Sequence, residues 1–212
     1  WSKFFEIIRK NFSIKQISQG LKVDLELLLI YTLYMRKRED FVPMKTLECR
    51  GITLSDKQTK ICVPITGTDL EEIKEQAEKI ANMNPDVVEW RADFYDVKDN
   101  DETEFEQCLK AINDNLKKIP IIYTYRTSNE GGEKSIDVDD YCRLCKYVSE
   151  ISEKYNVAMI DVELYENKDR KDIGKLLLDI KSTGVKVIGS NHHFEGTPSE
   201  KDIFNVLKTM EE

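Results

Sequence analysis

The sequence has few of the features that mark membrane, disulfide-stabilised or nucleic-acid-binding proteins. Its longest apolar run, residues 27–35, contains Thr32 and is about half the ~20 residues that a membrane-spanning helix requires. Five cysteines are an odd number for a disulfide framework, and no stretch resembles a signal peptide, so we expect a cytoplasmic protein. With a net charge of −8, we expect no nucleic-acid partner. Because no apolar run is long enough to span a membrane, we expect no membrane partner either.

The charge is distributed unevenly along the chain. Residues 1–43 carry eight Lys or Arg against five Asp or Glu, whereas the rest of the chain has an excess of acidic residues. Within the basic segment, residues 12–28 have the outline of a helix-turn-helix, and a small helical appendage or a foreign upstream segment is the other interpretation. We therefore divide the chain into residues 1–43 and a second domain, residues 44–212, that begins at Met44.

Short β-branched runs alternate with amphipathic stretches from residue 60 onward. The predicted strands are residues 61–65, 86–91, 120–126, 158–163 and 185–189, and a strand pair is predicted before them over residues 45–54. A helix is predicted after each of the five strands; a capping box of Thr68 and Glu71 opens the first, and Pro198 is placed at the first helical position of the last. Strict alternation predicts parallel strands, because each return to the same end of the sheet needs a crossover helix.

Two parallel architectures are compatible with five βα units. A doubly wound sheet would favour a glycine-rich turn after the first strand, but Gly67 stands alone there. A (β/α)₈ TIM barrel carries its functional groups at the carboxyl ends of successive strands, and charged residues lie at those ends here. We predict an α/β fold of the barrel type, with about five of the eight units present.

Charged and apolar side chains alternate along the predicted strands. Because neighbouring side chains of a strand point to opposite faces, Glu89 and Arg91 share one face, and so do Asp161 and Glu163. Charges inside a barrel are costly unless they are paired or used. A structural network of ion pairs is one interpretation; the repetition of the pattern at consecutive strand ends favours a functional site.

The only two histidines, His192 and His193, directly follow the fifth predicted strand. An imidazole titrates near pH ~6.5, and Glu163 on the neighbouring strand is placed to orient it and support its charged form, which is a general acid–base arrangement. Arg91 and Arg126 face the same mouth and would suit a substrate that bears a carboxylate.

Several short motifs now fall into one order and spacing. They are Val87-Val-Glu-Trp-Arg-Ala-Asp93, Tyr123-Thr-Tyr-Arg-Thr127 followed by Glu130-Gly-Gly132, Ile160-Asp-Val-Glu-Leu164, and Ser190-Asn-His-His-Phe194 with Thr197-Pro198. Over residues 44–212 this pattern resembles the type I 3-dehydroquinate dehydratase family. The resemblance implies a (β/α)₈ barrel that converts 3-dehydroquinate to 3-dehydroshikimate in the shikimate pathway of aromatic amino-acid biosynthesis. It also implies a homodimer and no metal or cofactor.

The resemblance further implies roles for individual residues. His192 would be the proton donor and acceptor and Glu163 its orienting carboxylate, while Glu89, Arg91 and Arg126 would contact the hydroxyls and carboxylate of the substrate. The family's Schiff-base lysine lies on the sixth strand, beyond residue 212, so we expect a piece that lacks this lysine and is inactive alone.

Two positions depart from the family pattern, and two other classes of function remain open. His193 stands where the family commonly has Asp, and Pro64 stands where some members have a substrate-contacting Ser. The alternatives are a non-enzymatic protein, either a barrel remnant or a helix-turn-helix binding module, and a different Schiff-base barrel such as an aldolase. The pair Cys142 and Cys145 lies in a predicted helix without a second cysteine pair, so we expect no metal there.

Overall fold

A computed structural model of the chain describes residues 46–55, 58–96, 101–164 and 171–211. The proposed N-terminal domain, residues 1–43, lies outside the described residues together with its helix-turn-helix interpretation. The described residues form seven strands and five α-helices. In chain order these are β1 (Leu47–Cys49), β2 (Ile52–Leu54), β3 (Cys62–Ile65), α1 (Leu70–Ala81), β4 (Val87–Arg91), α2 (Glu102–Leu116), β5 (Ile121–Thr124), α3 (Val138–Glu150), β6 (Val157–Glu163), α4 (Lys171–Ser182), β7 (Lys186–Ser190) and α5 (Glu200–Glu211).

Strands β3 to β7 form one parallel sheet in which each strand pairs with the next one along the chain. A doubly wound sheet reverses its strand order at a switch point, and the order of these five described strands does not reverse. Helices α1 to α4 contribute side chains to one core on a single face of this sheet. The predicted α/β fold with parallel strands is therefore confirmed, and the strand order is that of a barrel.

The core forms because alternate strand residues are apolar and large. Val88 and Trp90 of β4 and Tyr123 of β5 are fully buried beneath the helices. The ring of Trp90 packs against Phe105 of α2 and edge-on to Tyr123, with ring centroids 5.7 Å apart in both pairs. Burying a large apolar side chain stabilises a fold by roughly 1.5–3 kcal/mol, so this face of the sheet supplies stability and leaves the opposite face for polar groups.

Helix boundaries differ from the sequence prediction by one to five residues. The N-cap of α1 is Asp69, whose carboxylate accepts from the N–H of Glu72 at 2.9 Å, so the capping box predicted at Thr68 and Glu71 is shifted by one residue. Helix α3 ends at Glu150 rather than near residue 155. Helix α5 begins at Glu200, after Ser199, so the prediction of Pro198 at the first helical position is wrong.

The predicted strand pair before the sheet is confirmed as β1 and β2. Their two connecting residues, Arg50 and Gly51, have φ angles of 41° and 79°, as a type I′ hairpin turn requires. The Arg50 Nε donates to the carbonyl of Val157 at 2.7 Å, and its Nη2 lies 3.3 Å from Ser152 Oγ. The hairpin turn therefore lies at the amino-terminal end of β6.

The chain divides into two compact units. One consists of Glu48–Thr53 and Lys60–His192 and contains the five-stranded sheet, helices α1 to α4 and the polar cluster described below. Of the other, the structure describes residues 46–47, 54–55, 58–59 and 193–211, which include α5. In the described part of the chain, no helix has the length and apolar character needed to cross a membrane.

Candidate active site

The charged residues singled out in the sequence gather at the carboxyl ends of β4 to β7, on the sheet face opposite the helices. Glu89 and Arg91 are half-buried on β4, while Val88 and Trp90 point into the helix-facing core. The same alternation holds on β6, where Ile160 and Val162 point into that core. The other predicted residues there are Arg126, Asp161 and Glu163, all buried, and His192, which is half-buried.

Arg126 lies at the centre of this cluster and is only 7% exposed. Its Nη1 donates to Ser190 Oγ at 2.8 Å, to Glu163 Oε1 at 3.2 Å and to Glu130 Oε2 at 3.3 Å, and its Nη2 donates to Asp161 Oδ1 at 2.9 Å. One guanidinium thus serves three carboxylates. Buried charges of this kind are tolerated only when each is paired and hydrogen-bonded.

This environment shifts the pKa values of the two carboxyl groups on β6, those of Asp161 and Glu163. Burial raises the pKa of Asp161, and Arg126 together with a 2.7 Å hydrogen bond from Ser190 Oγ opposes that rise. Burial also raises the pKa of Glu163, which is opposed by the N–H and Oγ1 of Thr127, each at 2.8 Å. For Arg126, burial acts to lower the pKa, but the surrounding carboxylates outweigh it and the pKa is raised. The cluster has more negative than positive charge, which favours a further cation beside it.

The imidazole of His192 contacts a carboxylate that the sequence analysis did not assign. His192 Nδ1 lies 2.9 Å from Glu130 Oε2, and Glu130 is 1% exposed. The Nδ2 of Asn191 donates to the other oxygen, Oε1, at 3.2 Å, and Arg126 donates to Oε2. Glu130 is therefore fixed from both sides, and it in turn fixes the ring of His192.

The structure gives Glu130 the position that the sequence led us to expect for Glu163. The Glu163 carboxylate is turned toward Thr127 and Arg126, whereas Glu130 lies on a 3₁₀ turn, Ser128–Glu130, that brings its side chain to His192. Strand alternation does not predict the direction of a side chain on such a turn. The sequence feature that points to Glu130 is the Glu130-Gly-Gly132 motif, which does not by itself indicate a contact with His192.

Two glycines shape the turn that carries Glu130. Gly131 has a φ of 80°, a left-handed conformation that favours glycine. A Cβ atom at Gly132 would lie 1.9 Å from the backbone oxygen of Arg126, so a side chain cannot be accommodated without moving the loop. The N–H of Gly132 donates to the carbonyl of Thr127 at 2.8 Å. The turn is thereby held against the end of β5.

Arg91 is paired with one carboxylate, that of Asp93. Arg91 Nε donates to Asp93 Oδ1 at 2.8 Å and Nη2 donates to Oδ2 at 2.7 Å, which is the bidentate geometry. The guanidinium also lies over the ring of Phe94, 4.9 Å from its centroid. Burial acts to lower the pKa of Arg91, but the hydrogen bonds and the charge of Asp93, together with the charge of Glu89, outweigh it and the pKa is raised.

Glu89 completes the polar face on β4. Its Oε1 accepts from Thr124 Oγ1 at 2.7 Å. In the strand register, Pro64 lies directly beside Glu89 on the neighbouring strand, so this position on β3 offers no hydroxyl to a ligand.

Among the described residues, no group of three or more His, Cys, Asp or Glu side chains could hold a metal ion. Cys142 and Cys145 lie on α3, and burial raises the pKa of Cys145 well above its usual value. A protonated, buried thiol is a poor nucleophile and a poor metal ligand. What the cluster offers chemically is an imidazole held by a carboxylate that Arg126 also contacts.

Comparison with known proteins gives the same family by two routes. The family model for type I 3-dehydroquinase matches residues 61–212. The 3-dehydroquinate dehydratase of Clostridium novyi is 34% identical over 169 residues, which cover 80% of this chain and 64% of that protein. The enzyme of the same name from Bacillus licheniformis is 39% identical over 170 residues, which cover 79% of this chain and 64% of that protein.

Solved structures agree in fold. A type I 3-dehydroquinate dehydratase from Clostridium difficile, determined with covalently modified comenic acid, superposes with a TM-score of 0.72 at 32% identity and covers 80% of this chain and 65% of that one. The 3-dehydroquinate dehydratase of Geobacillus kaustophilus, at 24% identity, shares the fold with a TM-score of 0.71 over 79% of this chain and 63% of that one. The chain spans just under two thirds of the length of these relatives, and it belongs to the type I 3-dehydroquinase family.

Proposed function

We propose that the natural protein dehydrates 3-dehydroquinate to 3-dehydroshikimate through a lysine Schiff base. The observation that carries the proposal is the contact of His192 Nδ1 with the buried carboxylate of Glu130, at the carboxyl edge of the sheet of a type I 3-dehydroquinase. A carboxylate on Nδ1 fixes the orientation of the ring and leaves Nε2 as the nitrogen that exchanges protons with a substrate.

The proposed reaction needs a base and then an acid at neighbouring carbons. A lysine amine condenses with the ring ketone and releases water, and the protonated imine draws electrons from the adjacent carbon. His192 takes the proton from that carbon, the carbon–oxygen bond of the next carbon breaks, and the departing hydroxyl leaves as water with the proton that His192 returns. Hydrolysis of the imine frees the product and the lysine. We propose that the imine-forming residue is the sixth-strand lysine that the resemblance implies.

We propose that two carboxylates, those of Glu130 and Glu163, support His192 in different ways. Glu130 acts directly, through its 2.9 Å contact with Nδ1. We propose that Glu163, which was expected to orient the ring, acts one step further away, because it shares the Nη1 group of Arg126 with Glu130 and is fixed by Thr127. Arg126 thereby keeps both carboxylates in place.

The substrate's hydroxyls and carboxylate are expected to meet Glu89, Arg91 and Arg126. Arg91 is the more accessible of the two arginines, with 24% of its side chain exposed against 8% for Arg126. The Nη1 and Nη2 groups of Arg126 already donate to four acceptors, so a substrate group would have to share or replace one of them. We therefore assign the main polar contacts with substrate to Arg91 and Glu89.

We further propose that the five-stranded sheet is part of a (β/α)₈ barrel. Strand order follows chain order, helices α1 to α4 contribute to a core on one face, and the charged cluster occupies the other face, where a barrel has its interior. The homodimer that the resemblance implies stays a prediction, and so does the cytoplasmic location expected from the cysteine content.

The test uses the full natural protein and 3-dehydroquinate. We expect a conjugated enone product, seen by ultraviolet absorbance, and a covalent adduct on one lysine after borohydride reduction, located by mass spectrometry. His192→Asn should lower kcat by about 10²–10⁴-fold while the reduced adduct still forms, because imine formation precedes proton removal.

His193→Asn is the matched control, since it removes the adjacent imidazole, and it should change kcat by less than about threefold. Turnover without a borohydride adduct would contradict the Schiff-base step. The absence of both turnover and adduct would favour the non-enzymatic barrel remnant, and a larger effect at His193 than at His192 would move the assignment to the second imidazole.

A further inference from the structure

Asp93 is a buried carboxylate beside the site that has no step in the proposed reaction. It follows β4 in the 3₁₀ turn Ala92–Phe94 and is 0% exposed. Besides the two hydrogen bonds from Arg91, Asp93 accepts from two backbone N–H groups of the next loop: from Arg126 to Oδ1 at 3.3 Å and from Glu133 to Oδ2 at 3.2 Å. Both carboxylate oxygens are thus shared between a side chain and a backbone.

These contacts connect Arg91 to the loop, residues 127–134, that carries Glu130. The loop is closed on itself by the N–H of Ser128, which donates to the carbonyl of Lys134 at 3.0 Å. It is tied to the turn after β4 a second time, because Lys134 Nζ donates to the carbonyl of Tyr95 at 2.7 Å. Lys134 Nζ also pairs with Asp96 Oδ1 at 3.1 Å, on the surface. Asp93 is the buried charged link between the turn and the loop, and it fixes the plane of the Arg91 guanidinium.

A free arginine side chain samples many rotamers, and ordering it costs side-chain entropy. Because the bidentate pairing with Asp93 orders the Arg91 side chain when the protein folds, this entropy is not lost again when substrate binds. The pairing uses Nε and Nη2 of Arg91, and none of the described residues accepts a hydrogen bond from Nη1. The pairing therefore presents Nη1 in one orientation, on the sheet face that carries Glu89.

We propose that Asp93 is a positioning residue that holds the Arg91 guanidinium in its substrate-binding orientation and anchors it to the loop of Glu130. This inference rests on the proposed function in one respect, that Arg91 contacts the substrate. Because Glu130 is also fixed by Arg126 and Asn191, loss of Asp93 should affect substrate binding more than the proton transfers.

The test is a double-mutant cycle in the full natural protein, with kcat and KM measured for wild type, Asp93→Asn, Arg91→Ala and the double variant. We expect Asp93→Asn to raise KM by about tenfold, the effect of losing one charge-assisted hydrogen bond, and to lower kcat by less than about threefold. In the Arg91→Ala background the same change should alter KM by less than about twofold, because the group that Asp93 positions is gone.

Asp86→Asn is the matched control. Asp86 also accepts from a cation and a backbone N–H, Lys60 Nζ at 3.2 Å and Ile61 N at 2.8 Å, but it directly precedes β4, at the other end of the strand. Its replacement should leave KM within about twofold of wild type. An equal KM effect of Asp93→Asn with and without Arg91, or no KM effect at all, would overturn the proposal.

Arg91→Lys keeps the test decisive if Asp93→Asn does not fold. A lysine keeps the charge but cannot pair through a planar fork, so we expect it to raise KM about as much as Arg91→Ala does. A KM within about twofold of wild type would show that bidentate positioning is not needed. Failure of the proposed function looks different, because the unaltered protein would then show no turnover of 3-dehydroquinate.

Discussion

The two arginines at the carboxyl edge of the sheet have opposite surroundings. Arg91 faces one carboxylate, that of Asp93, in a bidentate pair, whereas Arg126 is shared by Asp161, Glu163 and Glu130. A one-to-one pair fixes a side chain and leaves donors for a ligand. Where one cation lies among three carboxylates, the arrangement of those carboxylates depends on that cation. The same residue type therefore forms a single bidentate pair in one place and holds several carboxylates together in the other.

Removing Arg126 should have the largest effect. Arg126→Met leaves Asp161 and Glu163 buried without their common cation, and breaking a buried ion pair by removing one partner costs about 3–5 kcal/mol. Urea denaturation measures this loss. Burial raises the pKa of both carboxyls, and groups with a raised pKa destabilise the fold once they ionise, so the loss should be greatest at neutral pH and should shrink as the pH falls and they protonate.

Arg143 provides the control for this prediction. It pairs with Glu102 at 2.6 Å and Asp140 at 2.9 Å, but its side chain is 42% exposed. Arg143→Met should cost less than about 1 kcal/mol, because solvent screens exposed ion pairs. A loss for Arg126→Met no greater than that of Arg143→Met would show that the buried cluster is not held by its guanidinium.

Removing Arg91 should have an intermediate effect. Arg91→Met leaves Asp93 with two backbone N–H donors at 3.2–3.3 Å, so part of its hydrogen bonding is kept. We expect a loss of roughly 1.5–3 kcal/mol, the range for hydrogen bonds to a charged group, measured by the same urea titration. A loss equal to that of Arg126→Met would remove the distinction between a paired and a shared arginine.

The smallest effect is expected at Glu106, where one carboxylate has several donors instead of one cation having several carboxylates. Glu106 on α2 accepts from Lys154 Nζ at 2.8 Å and from the hydroxyls of Tyr147 and Tyr155, each at 2.7 Å. These hydrogen bonds, that of Lys154 first, lower the pKa of Glu106 to about 2. Glu106→Gln should cost about 1 kcal/mol at neutral pH.

The sign of the pH dependence separates this site from the cluster around Arg126. A lowered pKa means that Glu106 stabilises the fold above pH ~4.5 and that this contribution is lost as the pH falls toward 2. The difference in thermal midpoint between wild type and Glu106→Gln should therefore shrink over that interval. Glu104→Gln on the same helix is the control; an equal shift from it would exclude a specific role for the three donors of Glu106.

Strand residues were predictable and turn residues were not. Alternation along β4 and β6 is sufficient to place Glu89, Arg91, Asp161 and Glu163 on one face, because a strand has a period of two. Glu130 and Asp93 lie on 3₁₀ turns, where the direction of a side chain depends on backbone angles that local sequence does not determine. The helix starts show the same limit, since a Thr or Asp one position apart can each act as an N-cap and the backbone decides between them.

The contact between the hairpin turn and β6 has a consequence for the order of folding. Arg50 and Val157 are separated by 107 residues, and contacts over such a distance form late because a long loop must close first. During synthesis, β1 and β2 leave the ribosome long before the strand to which they attach. We therefore expect the hairpin formed by β1 and β2 to attach to β6 late in folding.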